Sequence, residues 1–112
     1  MAGLARELKS ESAIQRAIML ALSKDGYRVI RINAGSFGVD DRRVKAAPPG
    51  FPDLLVYLPR GRLIHMEVKS AVGKLAVSQE HFRAMCSELG HTYVVVRSVA
   101  EARAACVTAL RA

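Results

Sequence analysis

Between Ser10 and Lys24 the apolar residues Ile14, Ala17, Ile18, Ala21 and Leu22 fall three and four apart. That spacing predicts a helix over 10–24 with one apolar stripe, Ser10 as its cap and Asp25-Gly26 as its stop. The period then drops to two: YRVIRI at 27–32 alternates and is β-branched, a strand. Residues 51–58 and 62–69 read as two further strands around a tight turn at Pro59-Arg60-Gly61-Arg62. Ser78 is positioned to cap a helix over 79–89, turning Phe82, Met85 and Leu89 inward and ending at Gly90. YVVVR at 93–97 is nearly continuous in apolar character, as in a strand covered on both faces. Ser98-Val99-Ala100-Glu101 forms a capping box for a last helix carrying Val99, Ala102, Cys106 and Leu110. The order is αβββαβα, an α/β domain with a mixed four-stranded sheet flanked by helices.

Residues 33–50 interrupt this pattern. They hold glycines, Pro48-Pro49 and the run Asp40-Asp41-Arg42-Arg43, and read as a long, mobile, basic loop. A loop of that length inside a compact domain is often functional. Residues 1–112 are otherwise one domain, without internal repeat or low-complexity tract.

Composition narrows the function classes. Hydrophobic residues make up 51% of the chain, enough for a core. Seventeen Lys+Arg against ten Asp+Glu leave a net charge of +7, and twelve of the seventeen are Arg. The guanidinium fork suits phosphate oxygens, so the balance favours a polyanionic partner, nucleic acid first. Cys86 and Cys106 belong to no CxxC or Cys/His spacing, which argues against zinc and for two small buried hydrophobes in a reducing compartment. No apolar run approaches a membrane span, and MAGLARELKS lacks the apolar core of a signal peptide. The expected setting is the cytoplasm, with no membrane partner.

Three polar residues then stand out in the hairpin, because its apolar strands would do without them. Glu67 and Lys69 share one face of the third strand, since side chains alternate. A turn centred near residues 60–61 brings position 53 opposite position 68 to within one residue, so Asp53 neighbours both. Two carboxylates so close repel unless something positive lies between them, and Mg²⁺ is a hard cation that takes oxygen ligands. An ammonium beside it can hold a water and offset charge growing on a phosphate under attack. Singly, each residue has a quieter reading: Asp53 leaving a turn, Glu67 and Lys69 a solvated cross-face pair. Glu11 lies on the apolar face of the first helix, as does Gln15 one turn on. It fits equally a carboxylate aimed at a metal and an acid favoured by the helix dipole. His65, on the Glu67 face, reads as packing. Arg42, Arg43 and Lys45 in the loop, with Arg60, Arg62 and Lys74 flanking the hairpin, are candidate DNA-backbone contacts. Six aromatic residues are too few for stacking on single strands to be the main mode.

Pro52-Asp53, thirteen residues, then Glu67-Val68-Lys69 resembles the PD-(D/E)XK nuclease signature. GFPDLLVY, HMEVKSAVGKLAVSQEHF and GHTYVVVRS are similar to the VRR-NUC family within that superfamily, over about Glu11 to Arg103. The strand here reads Val95-Val96-Arg97-Ser98, with one arginine where the family name records two. The resemblance implies a restriction-endonuclease-like fold and a Mg²⁺-dependent DNA endonuclease, with Mn²⁺ as substitute. It implies Asp53, Glu67 and the Val68 carbonyl as metal ligands, Lys69 as the catalytic lysine, Glu11 as a helix-borne acid and Gln79 as a glutamine lining the site. Stand-alone members resemble phage or bacterial Holliday-junction resolvases that act as homodimers on branched duplex DNA. The rival expectations are a DNA-binding module that kept the fold and lost catalysis, and a nuclease subunit directed by a partner protein.

Overall fold

The structure, a computed structural model, describes residues 9–32, 36–39, 42–45 and 47–112, with backbone pairing alone for 36–39 and 42–45. Helix α1 (Glu11–Lys24) starts where Ser10 Oγ accepts the Ala13 N–H at 3.1 Å. Its buried row is Ile14, Ile18 and Leu22, each one turn from the next, whereas Ala17 stays exposed. The stripe is thus narrower than the periodicity suggested.

Four strands form the sheet: β1 (Arg28–Arg31), β4 (Leu54–Leu58), β5 (Arg62–Val68) and β6 (Thr92–Val96), side by side in the order β1-β4-β5-β6. The first two pairings are antiparallel and β5-β6 is parallel, as a mixed sheet requires. Two more strands, β2 (Ser36–Val39) and β3 (Arg42–Lys45), pair with each other as a separate antiparallel ribbon. This corrects the expectation of a structureless 33–50 loop. The register sets Phe37 opposite Val44, a pairing that the surrounding glycines and charges obscured in the sequence.

One sheet face carries the main core. Leu54, Val56 and Leu58, with Ile64, Met66 and Val68, meet the buried row of α1 and Ala102 and Cys106 of α3 (Val99–Arg111). Ser98 Oγ caps α3 by accepting the Glu101 N–H, while Glu101 Oε1 accepts the Arg97 N–H at 2.8 Å. A fork-to-carboxylate pair, Arg103 on Asp25 at 2.8 and 3.1 Å, ties α3 to the end of α1.

The other face bears Leu63, His65 and Glu67 of β5 and is covered by α2 (Val77–Leu89). Between helix and sheet lies an aromatic layer, with Phe82 5.2 Å from Phe51 and 6.2 Å from Tyr93. His65 is part of that layer, edge-on to Phe51 at 6.2 Å, with Nδ1 against the Thr92 carbonyl, so the packing reading of it holds. Helix α2 departs from expectation twice. It begins two residues early, with Ala76 at the cap position, because Gln79 Oε1 accepts the Ala76 N–H at 2.7 Å and does the work expected of Ser78. Its inward row is Phe82–Cys86, leaving Met85 and Leu89 exposed, at 39% and 61%. The aromatic layer fixes the helix's rotation, and the neighbouring row of apolar residues therefore faces outward. No helix among the described residues is long and apolar enough to cross a membrane.

Candidate active site

The hairpin register aligns Leu54 with Met66, so one step outward Asp53 comes level with Glu67. Pro52 is fully buried and launches Asp53 at the open end of β4. The Asp53 carbonyl accepts the Ile32 N–H at 2.8 Å, extending the β1 pairing past the strand end. Its side chain crosses to β5, where Oδ2 accepts the Val68 N–H at 2.9 Å. Glu67 is 1% exposed and Lys69 8%, two ionisable groups where an ordinary sheet would place apolar ones. Lys69 Nζ lies 3.8 Å from Glu67 Oε2. The same oxygen accepts the Gln79 side-chain N–H at 2.8 Å. Glu67 Oε1 is buried with no partner among the described residues.

Burial pushes the Glu67 carboxyl up from 4.5 to about 8, and the neighbouring Asp53 carboxylate adds to it; Lys69 pulls the other way but loses. One nearby ammonium is therefore insufficient to neutralise this corner. A divalent cation fits what remains: two carboxylates with hard oxygens, one oxygen without a partner, and outer donors already orienting the others. No group of three or more His, Cys, Asp or Glu side chains converges among the described residues. Mg²⁺ does not need one, since it is commonly held by one or two carboxylates plus waters and substrate phosphates.

Two close approaches lock this corner. Gly50, at φ 86°, lies so near the first turn of α2 that a Cβ there would come within 2.2 Å of the Ser78 carbonyl oxygen. Only glycine lets the segment leading to Asp53 rest on the helix that delivers Gln79. Beyond Lys69, the Arg97 guanidinium donates to the Gly73 carbonyl at 2.8 Å and to that of Ser70, bracing the turn between them.

No family model and no curated protein matches this sequence. A solved structure described as a VRR-NUC domain does match in three dimensions, with 26% sequence identity and a TM-score of 0.61, over 83% of this chain and 89% of that one. The chain has the VRR-NUC nuclease fold. Its α/β architecture, a mixed four-stranded sheet with three helices, is the restriction-endonuclease-like arrangement expected of that fold.

Within the VRR-NUC fold the expected site residues divide into three groups. Asp53, Glu67, Lys69 and Gln79 come together, and Val68 joins them through its backbone, its side chain being buried in the core on the other face. Glu11 is exposed at the start of α1, and a Cβ on Gly73 would meet its Oε2 at 2.9 Å; it overlies the Arg97-braced turn, with no hydrogen bond or ion pair to Asp53, Glu67 or Lys69. Arg60 and Arg62 sit at the opposite, turn end of the hairpin. There they donate to the backbone oxygens of Leu110 and Ala112, at the C-terminal end of α3. Lys74 is exposed in the segment between Lys69 and α2. Arg42, Arg43 and Lys45 lie on β3, and their side chains fall outside the described residues.

Sequence reasoning missed two contributors. Gly50 carries its signal in the backbone conformation, which a sequence does not display. Tyr93 sits in an apolar run and gave no sign that its hydroxyl is buried on the Glu67 face.

Proposed function

We propose that this domain is a Mg²⁺-dependent DNA endonuclease, Mn²⁺ substituting, that hydrolyses phosphodiester bonds in branched or junction duplexes and works as a homodimer in the manner of a Holliday-junction resolvase. The observation that supports it most is the pairing of buried Glu67 with half-buried Asp53, whose electrostatic cost a divalent cation would relieve, with Lys69 alongside. Asp53 and Glu67, with the Val68 carbonyl, would hold the Mg²⁺, which would supply Lewis acidity for phosphodiester hydrolysis. The Val68 N–H fixes Asp53 Oδ2 and Gln79 fixes Glu67 Oε2, so the carboxylates need little reorganisation when substrate arrives. The Lys69 ammonium orients the attacking water and offsets charge developing on the phosphate. Glu11 and Lys74 border the approach, and the basic excess of the chain supplies backbone attraction. Two copies related by a two-fold axis suit a symmetric four-way target.

Linear, flap and four-way junction DNA, each incubated with Mg²⁺ or with chelator, test this. Cleavage is expected only with the metal, as paired symmetric cuts on the junction. Lys69→Ala should bind junction DNA within about twofold of wild type and cut it at least about a hundredfold more slowly. Binding without products on every substrate points instead to a DNA-binding module, and wild-type cleavage by the Lys69 variant removes the mechanism.

A further inference from the structure

Two buried side-chain polar atoms have no hydrogen-bond partner among the described residues, Glu67 Oε1 and the Tyr93 hydroxyl. They share a sheet face. In the parallel β5-β6 register Glu67 aligns with Val95 and His65 with Tyr93, so Glu67 and Tyr93 are diagonal neighbours on one side of adjacent strands. Such neighbours stand roughly 7–8 Å apart at the backbone, within reach of an aromatic side chain. The Tyr93 ring is held in place by Phe82, 6.2 Å away, which leaves its hydroxyl as the free end.

We infer that Tyr93 is a positioning residue for Glu67, its hydroxyl donating to one buried water that in turn donates to Oε1, since neither atom has a direct partner among the described residues. Each atom supplies what the other lacks: the carboxylate oxygen accepts and the phenol donates. A water between them would find at least these two polar partners, the minimum that makes a buried site hospitable to one. A phenylalanine would fill the same space beside Phe82 without burying an oxygen. The hydroxyl therefore needs an explanation that packing does not give. With Gln79 fixing Oε2 from the helix side and Tyr93 addressing Oε1 from the strand side, both oxygens of Glu67 are oriented before any cation arrives. The inference deepens the nuclease reading and rests on it only for the cation served.

Thermal unfolding of the metal-free wild type, Tyr93→Phe, Glu67→Met and the double variant tests the link without any catalysis. Tyr93→Phe is expected to lower Tm, and the two substitutions to be non-additive by more than about 2 °C, because the hydroxyl loses its purpose once the carboxylate is gone. In calorimetric titrations, Tyr93→Phe should weaken Mn²⁺ binding about tenfold while leaving the circular dichroism spectrum unchanged. A purely structural hydroxyl would leave Mn²⁺ affinity alone. A Tm that rises in Tyr93→Phe, an additive cycle, or unaltered Mn²⁺ affinity overturns the inference. If the wild type takes up no Mn²⁺, the nuclease reading falls instead, and the metal-free cycle alone still decides whether Tyr93 and Glu67 are coupled.

Discussion

Glu67 is the residue on which the site's chemistry turns, because it is charged only at a cost. Its folded-state value near 8 stands above the ordinary 4.5, so the folded protein binds a proton there that the unfolded chain has lost. Stability from this group is therefore fully present below about pH 4.5 and falls as pH rises through about 8, by an amount on the order of a few kcal/mol. Metal-free protein should lose Tm across that window, and Glu67→Gln, which cannot ionise, should flatten the loss; a wild-type Tm that climbs from pH 5 to 8 would contradict this. Cation uptake should run the opposite way and tighten with pH, since the ligand form is the ionised one. At this scale the sequence was informative where side-chain type and strand alternation sufficed. Asp53, Glu67 and Lys69 could be gathered from a turn position and a period of two. Tyr93 could not, because a phenol's burial depends on Phe82 of a helix whose rotation no local pattern specified.

At the level of elements, the segment ending in Asp53 and the first turn of α2 are held in register by contact at Gly50. Gly50→Ala combines a positive φ with a collision against the Ser78 carbonyl and should cost on the order of 2–3 kcal/mol, whereas Gly61→Ala, at φ 73° with nothing within 4 Å, should cost about 1 kcal/mol. Urea unfolding of the two variants checks the ranking, and cleavage should suffer in the first alone. Most elements were visible beforehand because their periodicity was strong and their caps conventional, as in α1 and α3. The exceptions have physical causes. Gln79 replaced an N-cap side chain from three positions inside α2, and the β2-β3 ribbon hid behind glycines and charges. The outward row of Met85 and Leu89 followed from aromatic packing that only the assembled layer determines.

For the whole molecule the decisive quantity is the +7 charge and where its arginines are committed. Arg60 and Arg62 already serve backbone oxygens at the C-terminal end of α3, so replacing both with alanine should lower Tm and leave DNA affinity nearly unchanged. Replacing Arg42 and Arg43 with alanine should instead weaken binding to all duplexes and reduce the slope of log affinity against log salt by about 2, as measured by fluorescence anisotropy. Unchanged affinity there would take the ribbon out of the interface. The charge sign and the fold class were open to reading from composition and order alone, but the allocation of individual cations was not, since it depends on which helix ends approach them. Gln79 finally makes one amide group the hinge pin of two structures: its oxygen moors the start of a helix while its nitrogen steadies a ligand. Reciprocity follows. Whatever tightens the grip on the carboxylate also suppresses fraying of the helix, so cation uptake should slow amide exchange across 76–80, and fraying there should loosen the ion.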